Sequence, residues 1–142
     1  AFTVQEEVGL RGAGVAAYGA NPDLALVIEG TTASDVPGVQ AHGHATTVGK
    51  GPALTIMDRT TIPARPLVQR LQEVAGSENI ATQFRRATTG GTDAGMIRLT
   101  KGGIPVAGVS VPCRYIHSPA SVASLSDIQA TIRLVKGFLR TY

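Results

Sequence analysis

Continuous apolar runs along the chain predict buried β-strands. Residues 24–28 (LALVI) and 104–111 (IPVAGVSV) are almost free of polar side chains, which is typical of strands covered on both faces, as in a parallel sheet. Residues 2–8 are rich in β-forming side chains and end before a glycine, which predicts a first strand. Shorter stretches at 53–57 and 80–86 predict two more.

Apolar residues spaced three and four positions apart predict a helix at the end of the chain. The series consists of Leu125, Ile128, Ile132, Val135 and Leu139. Ser124, followed three residues later by Asp127, resembles a capping box at the start of this helix. This is the strongest periodic pattern in the sequence.

Three other segments have helical character. After Pro63, apolar residues recur at i, i+4 and i+7, and Gly76 stands where a C-terminal cap is expected. Residues 12–20 are small and apolar, which suits a helix packed closely on a sheet. Residues 94–100 predict a short helix that Thr92 could cap.

The alternation of strands with helices predicts a three-layer α/β fold, with an open, mainly parallel sheet and helices on both faces. Residues 1–142 are enough for one domain or a large part of one, with no second domain. Because the chain opens with AFTVQEEVG, without Met or a polar lead-in, we expect it to begin inside a larger protein. Residues 31–51 predict a long loop, and such loops usually carry function.

The composition indicates a folded protein and points to neither nucleic acid nor membrane. Hydrophobic residues make up 43% and charged residues 16%, so apolar burial can offset the cost of chain ordering. The net charge of +3 is spread along the chain and aromatics are 4%, which predicts no nucleic-acid surface. No apolar run reaches the roughly 18 residues of a membrane span. The single Cys113 fits a reducing, cytoplasmic location.

Acidic and imidazole side chains follow three of the predicted strands. Glu6 and Glu7 end the first strand, Glu29 follows 24–28, and His117 lies just past the 104–111 strand. Because the carboxyl ends of parallel strands meet at one sheet edge, we expect these four side chains to lie together. Carboxylate and imidazole suit Zn²⁺ or a similar divalent ion. Taken one by one, Glu6 and Glu7 are equally explained as a solvated pair, and Glu29 and His117 are better explained as an ordinary strand-end acid and a packing or loop residue.

Several other motifs permit different interpretations. Gly12-x-Gly14-x-x-Ala17, with Glu29 as the acid ending the next strand, matches a Rossmann-type dinucleotide-binding fingerprint. The fingerprint should follow its strand directly, however, and the two adjacent glutamates would repel a pyrophosphate. His42 and His44 form an H-x-H pair with no third ligand nearby, which favours a solvated loop.

The segment GGTDA offers backbone N–H groups at a predicted helix start. Such groups can bind an anion or a peptide carbonyl, although an ordinary glycine turn explains the segment as well.

Five blocks in order resemble one known family. They are QEEVGLRGA, ALVIEGTTASDVPG, GKGP with MDRTTI, ATTGGTDAG and GIPVAGVSVPCRYIHSPAS. Together they resemble the C-terminal half of two-metal aminopeptidases of the glutamyl aminopeptidase and tetrahedral (TET) type, some of which are labelled cellulase M or endoglucanase. The resemblance covers essentially the whole chain.

The resemblance implies roles for individual residues. Glu6 matches the general base, and Glu7 matches a ligand of one metal. Glu29 matches the acidic ligand of the other metal, and His117 matches the family's late histidine ligand. GGTDA lies near the substrate cleft in such proteins, so Gly91 and Asp93 are candidates for holding the peptide. The implied activity is metal-dependent removal of N-terminal residues from peptides, with two Zn²⁺ or Co²⁺ ions, in a homo-oligomer.

The chain departs from this family in what it lacks. The family's H-x-D histidine and the aspartate that bridges both metals precede Glu6 and are absent from residues 1–142, so we expect these residues alone to bind metal poorly and to be inactive. A binding-only domain remains an alternative. An endoglucanase is disfavoured, because adjacent carboxylates do not flank a sugar and the chain has no Trp on which a sugar could stack.

Overall fold

The computed structural model describes residues 1–142 and has helices that alternate with short and long strands. In chain order the elements are α1 (Arg11–Ala20), β1 (Ala25–Thr32), β2 (Ala53–Leu54), α2 (Arg65–Ser77), β3 (Gln83–Phe84), α3 (Ala94–Ile97), β4 (Val106–Arg114), β5 (Val122–Ala123) and α4 (Leu125–Leu139), with a 3₁₀ turn at Ala41–Gly43. The α/β class is confirmed.

The strands form one open sheet in the order β1-β4-β2-β3, with β5 paired to β4. β1 runs parallel to β4 along its whole length, from Ala25 opposite Val106 to Thr32 opposite Cys113. β2 is parallel to β3, whereas β2 and β5 are each antiparallel to β4. The sheet is therefore mixed, and β4 is its central strand.

Side chains of β4 alternate between two helical layers, because successive residues of a strand point to opposite faces. Ala107 and Val109 join the main core with Leu71 of α2 and with Leu134 and Phe138 of α4. On the opposite face α3 packs on β1 and β4 and contacts α1. The helices therefore cover both faces of the sheet, as predicted.

Residues 2–8 do not form the predicted strand. Val4 instead accepts a hydrogen bond from the Gly12 N–H at 3.0 Å, and the Phe2 side chain is fully exposed. β-Forming side chains are not sufficient for a strand, since a strand also needs a neighbour to satisfy its backbone groups. The backbone carbonyl groups of this segment instead accept hydrogen bonds from the first N–H groups of α1.

The predicted boundaries of other elements also change. β1 continues past Glu29 to Thr32, so this residue lies within the strand rather than after it. β1 is an edge strand of the sheet, and its Ile28 side chain is 54% exposed. The predicted burial on both faces is therefore found for β4 but not for β1. α2 extends past Gly76 to Ser77, and β2 and β3 are two-residue strands.

The final helix forms as predicted, but its apolar series lies largely on the exposed side. Leu125, Ile132 and Leu139 are more than half exposed. The buried positions of α4 are Asp127, Thr131, Leu134, Gly137 and Phe138. The predicted capping box is wrong: the Ser124 side chain caps nothing, and the Asp127 carboxylate bonds Gly49 and Gly51 instead.

Two further predictions from the sequence concern a dinucleotide-binding site and a membrane-spanning helix. Gly12 and Gly14 lie inside α1, whereas the glycines of a dinucleotide fingerprint must form the turn before a helix; the dinucleotide-binding interpretation is therefore wrong. None of the helices combines the length and the apolar character that crossing a bilayer requires.

Candidate functional site

An open cleft of about 340 Å³ collects the predicted site residues at one edge of the sheet. Glu6, Glu7, Glu29 and His117 all line it, as predicted, although Glu6 and Glu7 reach it from a turn rather than from a strand end. Arg85 lines it as well, and Ile116 is its sole hydrophobic lining residue. We call this site the acidic cleft.

A backbone turn before α1 presents Glu6 and Glu7 to the acidic cleft. Gln5 and Leu10 both have positive φ values, of 61° and 58°. The Glu6 carbonyl accepts hydrogen bonds from the N–H groups of Gly9 and Leu10 at 3.2 and 2.9 Å. The turn therefore fixes the two adjacent carboxylates without a strand partner.

His117 reaches the acidic cleft from the loop between β4 and β5, which we call the His117 hairpin (residues 113–123). Tyr115 and His117 both adopt left-handed backbone conformations, with φ values of 59° and 64°. The His117 Nε2 lies 3.1 Å from Glu7 Oε1, and both side chains are mostly exposed. A carboxylate and an imidazole are thus in direct contact at the open mouth of the cleft.

Glu29 lies deeper and carries the largest electrostatic perturbation. Burial, followed by the negative charges of Glu6 and Asp58, raises the pKa of Glu29 to about 8, and the nearby Arg85 only partly offsets this. Burial and the adjacent Glu7 carboxylate also raise the pKa of Glu6. Negative charge is in excess here, which is the environment that a bound cation relieves.

Two charged residues near Glu29 were missed in the sequence. Asp58 is 6% exposed, and its Oδ1 accepts the N–H groups of Thr60 and Thr61 at 2.7 and 2.8 Å, while its Oδ2 has no partner. The D-x-T-T pattern is a recognisable side-chain-to-backbone turn and could have indicated this. Arg85 donates to the Thr89 carbonyl, and no sequence pattern marked it as the cation of the cleft.

The two candidate peptide-holding residues occupy different places. Gly91 lines the acidic cleft, where a Cβ would lie 2.3 Å from Thr60 Cγ2, so a larger residue would require the Thr60 side chain to move. Asp93 is 7% exposed and accepts a hydrogen bond from the Thr3 hydroxyl. It borders a second, apolar cavity between α1 and β1 rather than the acidic cleft.

The donor atoms of the acidic cleft are of the right kind for a divalent metal but incomplete in number. Carboxylate oxygen and imidazole nitrogen are common zinc ligands, and a zinc site takes about four ligands. No three His, Cys, Asp or Glu side chains in residues 1–142 are arranged to hold a metal ion. His42 and His44 lie outside the cleft, and His44 Nε2 is 3.1 Å from the Val39 carbonyl.

Relatives of known structure share this fold closely. An aminopeptidase from the archaeon Desulfurococcus kamchatkensis superposes with a TM-score of 0.96 at 42% identity, over 99% of this chain and 40% of its own. The Pyrococcus horikoshii TET1 peptidase, which can assemble into a tetrahedron or a large octahedral shell, gives 0.78 at 30% identity, over 96% of this chain and 38% of its own. A Thermotoga maritima protein named endoglucanase gives 0.70 at 34% identity, over 96% and 38%.

Sequence comparison leads to the same group. The glutamyl aminopeptidase of Lactococcus lactis subsp. cremoris is 38% identical over 124 residues, which are 87% of this chain and 34% of that protein. The chain therefore spans about two fifths, or less, of the length of the relatives it matches. Several of these relatives are named aminopeptidases, and aminopeptidases are hydrolases. The model of the M42 glutamyl aminopeptidase family matches residues 1–134, and the chain belongs to this family.

Proposed function

We propose that residues 1–142 form part of the catalytic domain of an aminopeptidase that hydrolyses the first peptide bond of peptides with the help of divalent metal ions. The observation that carries this proposal is the contact of 3.1 Å between Glu7 and His117, in the same cleft as Glu6 and Glu29. Membership of the aminopeptidase family supports it independently.

Glu7 and His117 would hold one metal ion and Glu29 the other, with Zn²⁺ or Co²⁺ as candidates. The raised pKa of Glu29 supports this assignment, because a buried carboxylate among other carboxylates gains most from a cation. Bound ions would supply Lewis-acid polarisation of the scissile carbonyl. Gly91 lies on the cleft wall, where its backbone is accessible to the peptide.

Glu6 is the proposed general base. Its carboxylate would take a proton from the attacking water and later deliver it to the leaving amine, a role worth about 10²–10⁴-fold in rate. Burial and its neighbouring acids raise the pKa of Glu6, which makes its carboxylate a better proton acceptor than an ordinary surface glutamate. Glu7 lies beside it and contacts His117, so the two glutamates have separate tasks.

The proposal extends to the state of the protein. Because no three ligands in residues 1–142 can hold a metal together, the remaining ligands are expected from a longer protein, and residues 1–142 alone are expected to be inactive. The assemblies formed by the TET1 peptidase support a homo-oligomer. The free Cys113 supports a reducing, cytoplasmic location.

The experiment compares release of p-nitroaniline from aminoacyl p-nitroanilides by residues 1–142 and by the complete gene product that contains them, each with Zn²⁺ or Co²⁺. We expect activity only in the longer protein. There, Glu6→Gln should lower kcat by at least about 10²-fold with unchanged metal content. Glu73→Gln on the exposed face of α2 is the matched control and should keep full activity.

Two outcomes would contradict the proposal. If the longer protein binds metal and folds but releases no amino acid from any substrate of a broad panel, a binding-only domain becomes the better interpretation. If Glu6→Gln and Glu73→Gln have the same kcat, Glu6 is not the base. Metal content by mass spectrometry and thermal unfolding of each variant exclude loss of metal or fold as the cause.

A further inference from the structure

A partly buried ion pair lies at the start of the His117 hairpin. Arg114 ends β4, three residues before His117, and its Nε and Nη2 donate to Asp35 Oδ1 and Oδ2, each at 2.8 Å. The Asp35 side chain is 4% exposed. A bidentate pair fixes both the distance and the plane of the guanidinium, which a single ionic contact does not.

Asp35 also ties a second segment to the pair. Its Oδ2 accepts the Val48 N–H at 2.9 Å, and Asp35 lies six positions after Glu29 of β1. The ion pair therefore joins the segment that follows Glu29 to the end of β4, three residues before His117. The guanidinium of Arg114 holds the pKa of Asp35 below its usual value, so the carboxylate stays charged.

The hairpin above this pair needs an anchor. Two of its residues, Tyr115 and His117, adopt left-handed backbone conformations without being glycine, which is strained and persists only where the surroundings hold it. Beyond Arg114, the turn is closed by a hydrogen bond of 3.1 Å from the Ser118 N–H to the Tyr115 carbonyl. The Ser118 hydroxyl also bonds the carbonyl groups of Tyr115 and Ala120. The Arg114 residue itself pairs with Val122 of β5.

We propose that Arg114 and Asp35 are positioning residues, which hold the His117 hairpin so that the imidazole stays within reach of Glu7. Neither residue touches the cleft, since both are absent from its lining. The inference rests on the proposed function insofar as it assigns a purpose to the position of His117. The geometric part, an anchored hairpin, does not depend on the presence of metal.

The first test measures amide hydrogen exchange of the hairpin in purified residues 1–142. Arg114→Gln should accelerate exchange of the Ser118 amide about 10-fold or more, and leave the Val48 amide unchanged. Asp35→Ala should accelerate both amides, because Asp35 bonds both segments. Arg114→Lys keeps the charge but loses the bidentate geometry, and should resemble Arg114→Gln. Arg70→Gln breaks the exposed pair with Glu73 and is the matched control.

The second test measures Co²⁺ or Zn²⁺ affinity of the longer protein that contains these residues. Substitution of groups that orient a metal ligand commonly weakens metal binding by about 10–100-fold, and we expect at least about 10-fold for Arg114→Gln, without loss of fold by circular dichroism. Arg70→Gln should bind metal as the unsubstituted protein does.

The outcomes separate this proposal from the proposed function. If the unsubstituted longer protein binds no metal, the proposed function fails, and the hydrogen-exchange result still decides whether the pair anchors the hairpin. Unchanged exchange at Ser118 in both Arg114 variants overturns the positioning role. Faster exchange with unchanged metal affinity overturns the link between the hairpin and metal binding.

Discussion

Two carboxylates of this protein, one buried and one half-buried, have opposite environments. Asp127 of α4 is 1% exposed, and its two oxygens accept the N–H groups of Gly49 and Gly51 at 2.7 and 2.9 Å. Glu29 of β1 is half-buried and faces other carboxylates, which with burial raise its pKa to about 8. Burial alone therefore does not define the role of an acid. A carboxylate with donors aimed at both oxygens is structural, whereas one among like charges is available for a ligand.

Removal of the satisfied carboxylate should have the largest effect on stability. Asp127→Ala leaves the buried Gly51 N–H without an acceptor, which costs about 1–3 kcal/mol, and it removes the charged partner of the exposed Gly49 N–H, a hydrogen bond worth about 1.5–3 kcal/mol. We expect the free energy of unfolding, measured in urea, to fall by about 4 kcal/mol. Asp23→Ala removes an exposed carboxylate and should change it by less than about 0.5 kcal/mol. Equal losses in the two variants would show that the two N–H groups find other partners.

Substitution of the crowded carboxylate should instead stabilise the metal-free chain. The pKa of Glu29 lies above its ordinary value of 4.5, so the folded state binds its proton more tightly than the unfolded state. Below about pH 4.5 both states are protonated and Glu29 has no effect. As the pH rises towards 8 the unfolded state loses the proton first, and the free energy of unfolding decreases.

Glu29→Gln should abolish this pH-dependent loss. We expect the variant to match the unsubstituted chain at pH 4 and to exceed it by about 3 kcal/mol at pH 8, as measured by urea unfolding. Glu73→Gln, on an exposed helix face, should follow the unsubstituted chain at every pH. A Glu29→Gln variant that is less stable at pH 8 would mean that the carboxylate is satisfied after all.

The two glycines that bond Asp127 provide a finer comparison. Gly49 and Gly51 have φ values of +85° and +86°, but an added Cβ meets nothing within 4 Å at Gly49 and lies 1.9 Å from the Ala81 carbonyl oxygen at Gly51. Both alanine variants incur the left-handed backbone penalty of about 1–2 kcal/mol. Gly51→Ala should lose about 2 kcal/mol more, because the Ala81 backbone must move. Equal losses would show that the Ala81 backbone yields freely.

Local patterns in the sequence predict most elements of this fold, and their failures have a common cause. The spacing of Leu125, Ile132 and Leu139 predicts α4 correctly, but not that Thr131 and Phe138 face the core instead. Residues 2–8 have strand-forming side chains but no neighbouring strand. In both cases the outcome depends on whether a partner distant in sequence is present, namely the core that contacts α4 and the neighbouring strand that residues 2–8 lack, and local periodicity does not record such partners.

The candidate site is predictable to a similar extent. Glu6, Glu7, Glu29 and His117 come together as predicted. The parallel pairing of β1 with β4 accounts for Glu29 and His117, whereas Glu6 and Glu7 reach the cleft from the turn before α1 and not from the predicted strand. Asp58 and Arg85 follow β2 and β3, whose two-residue strands give too weak a pattern to predict that both residues lie near Glu29. The Arg114–Asp35 pair joins residues 79 positions apart, a separation that no local motif reveals.

The smallest expected effect comes from a direct test of whether Glu29 is available to bind a cation. A ligand that binds only the folded state and is present at a concentration of ten times its Kd stabilises that state by about 1.4 kcal/mol. We expect Zn²⁺ at pH 8 to increase the free energy of unfolding of the longer protein by about this amount, and Glu29→Gln to lose most of the gain, because a neutral amide cannot replace the carboxylate as a ligand. Glu73→Gln should keep the full gain. If Zn²⁺ stabilises Glu29→Gln as much as the unsubstituted protein, the excess negative charge around Glu29 serves another purpose than metal binding.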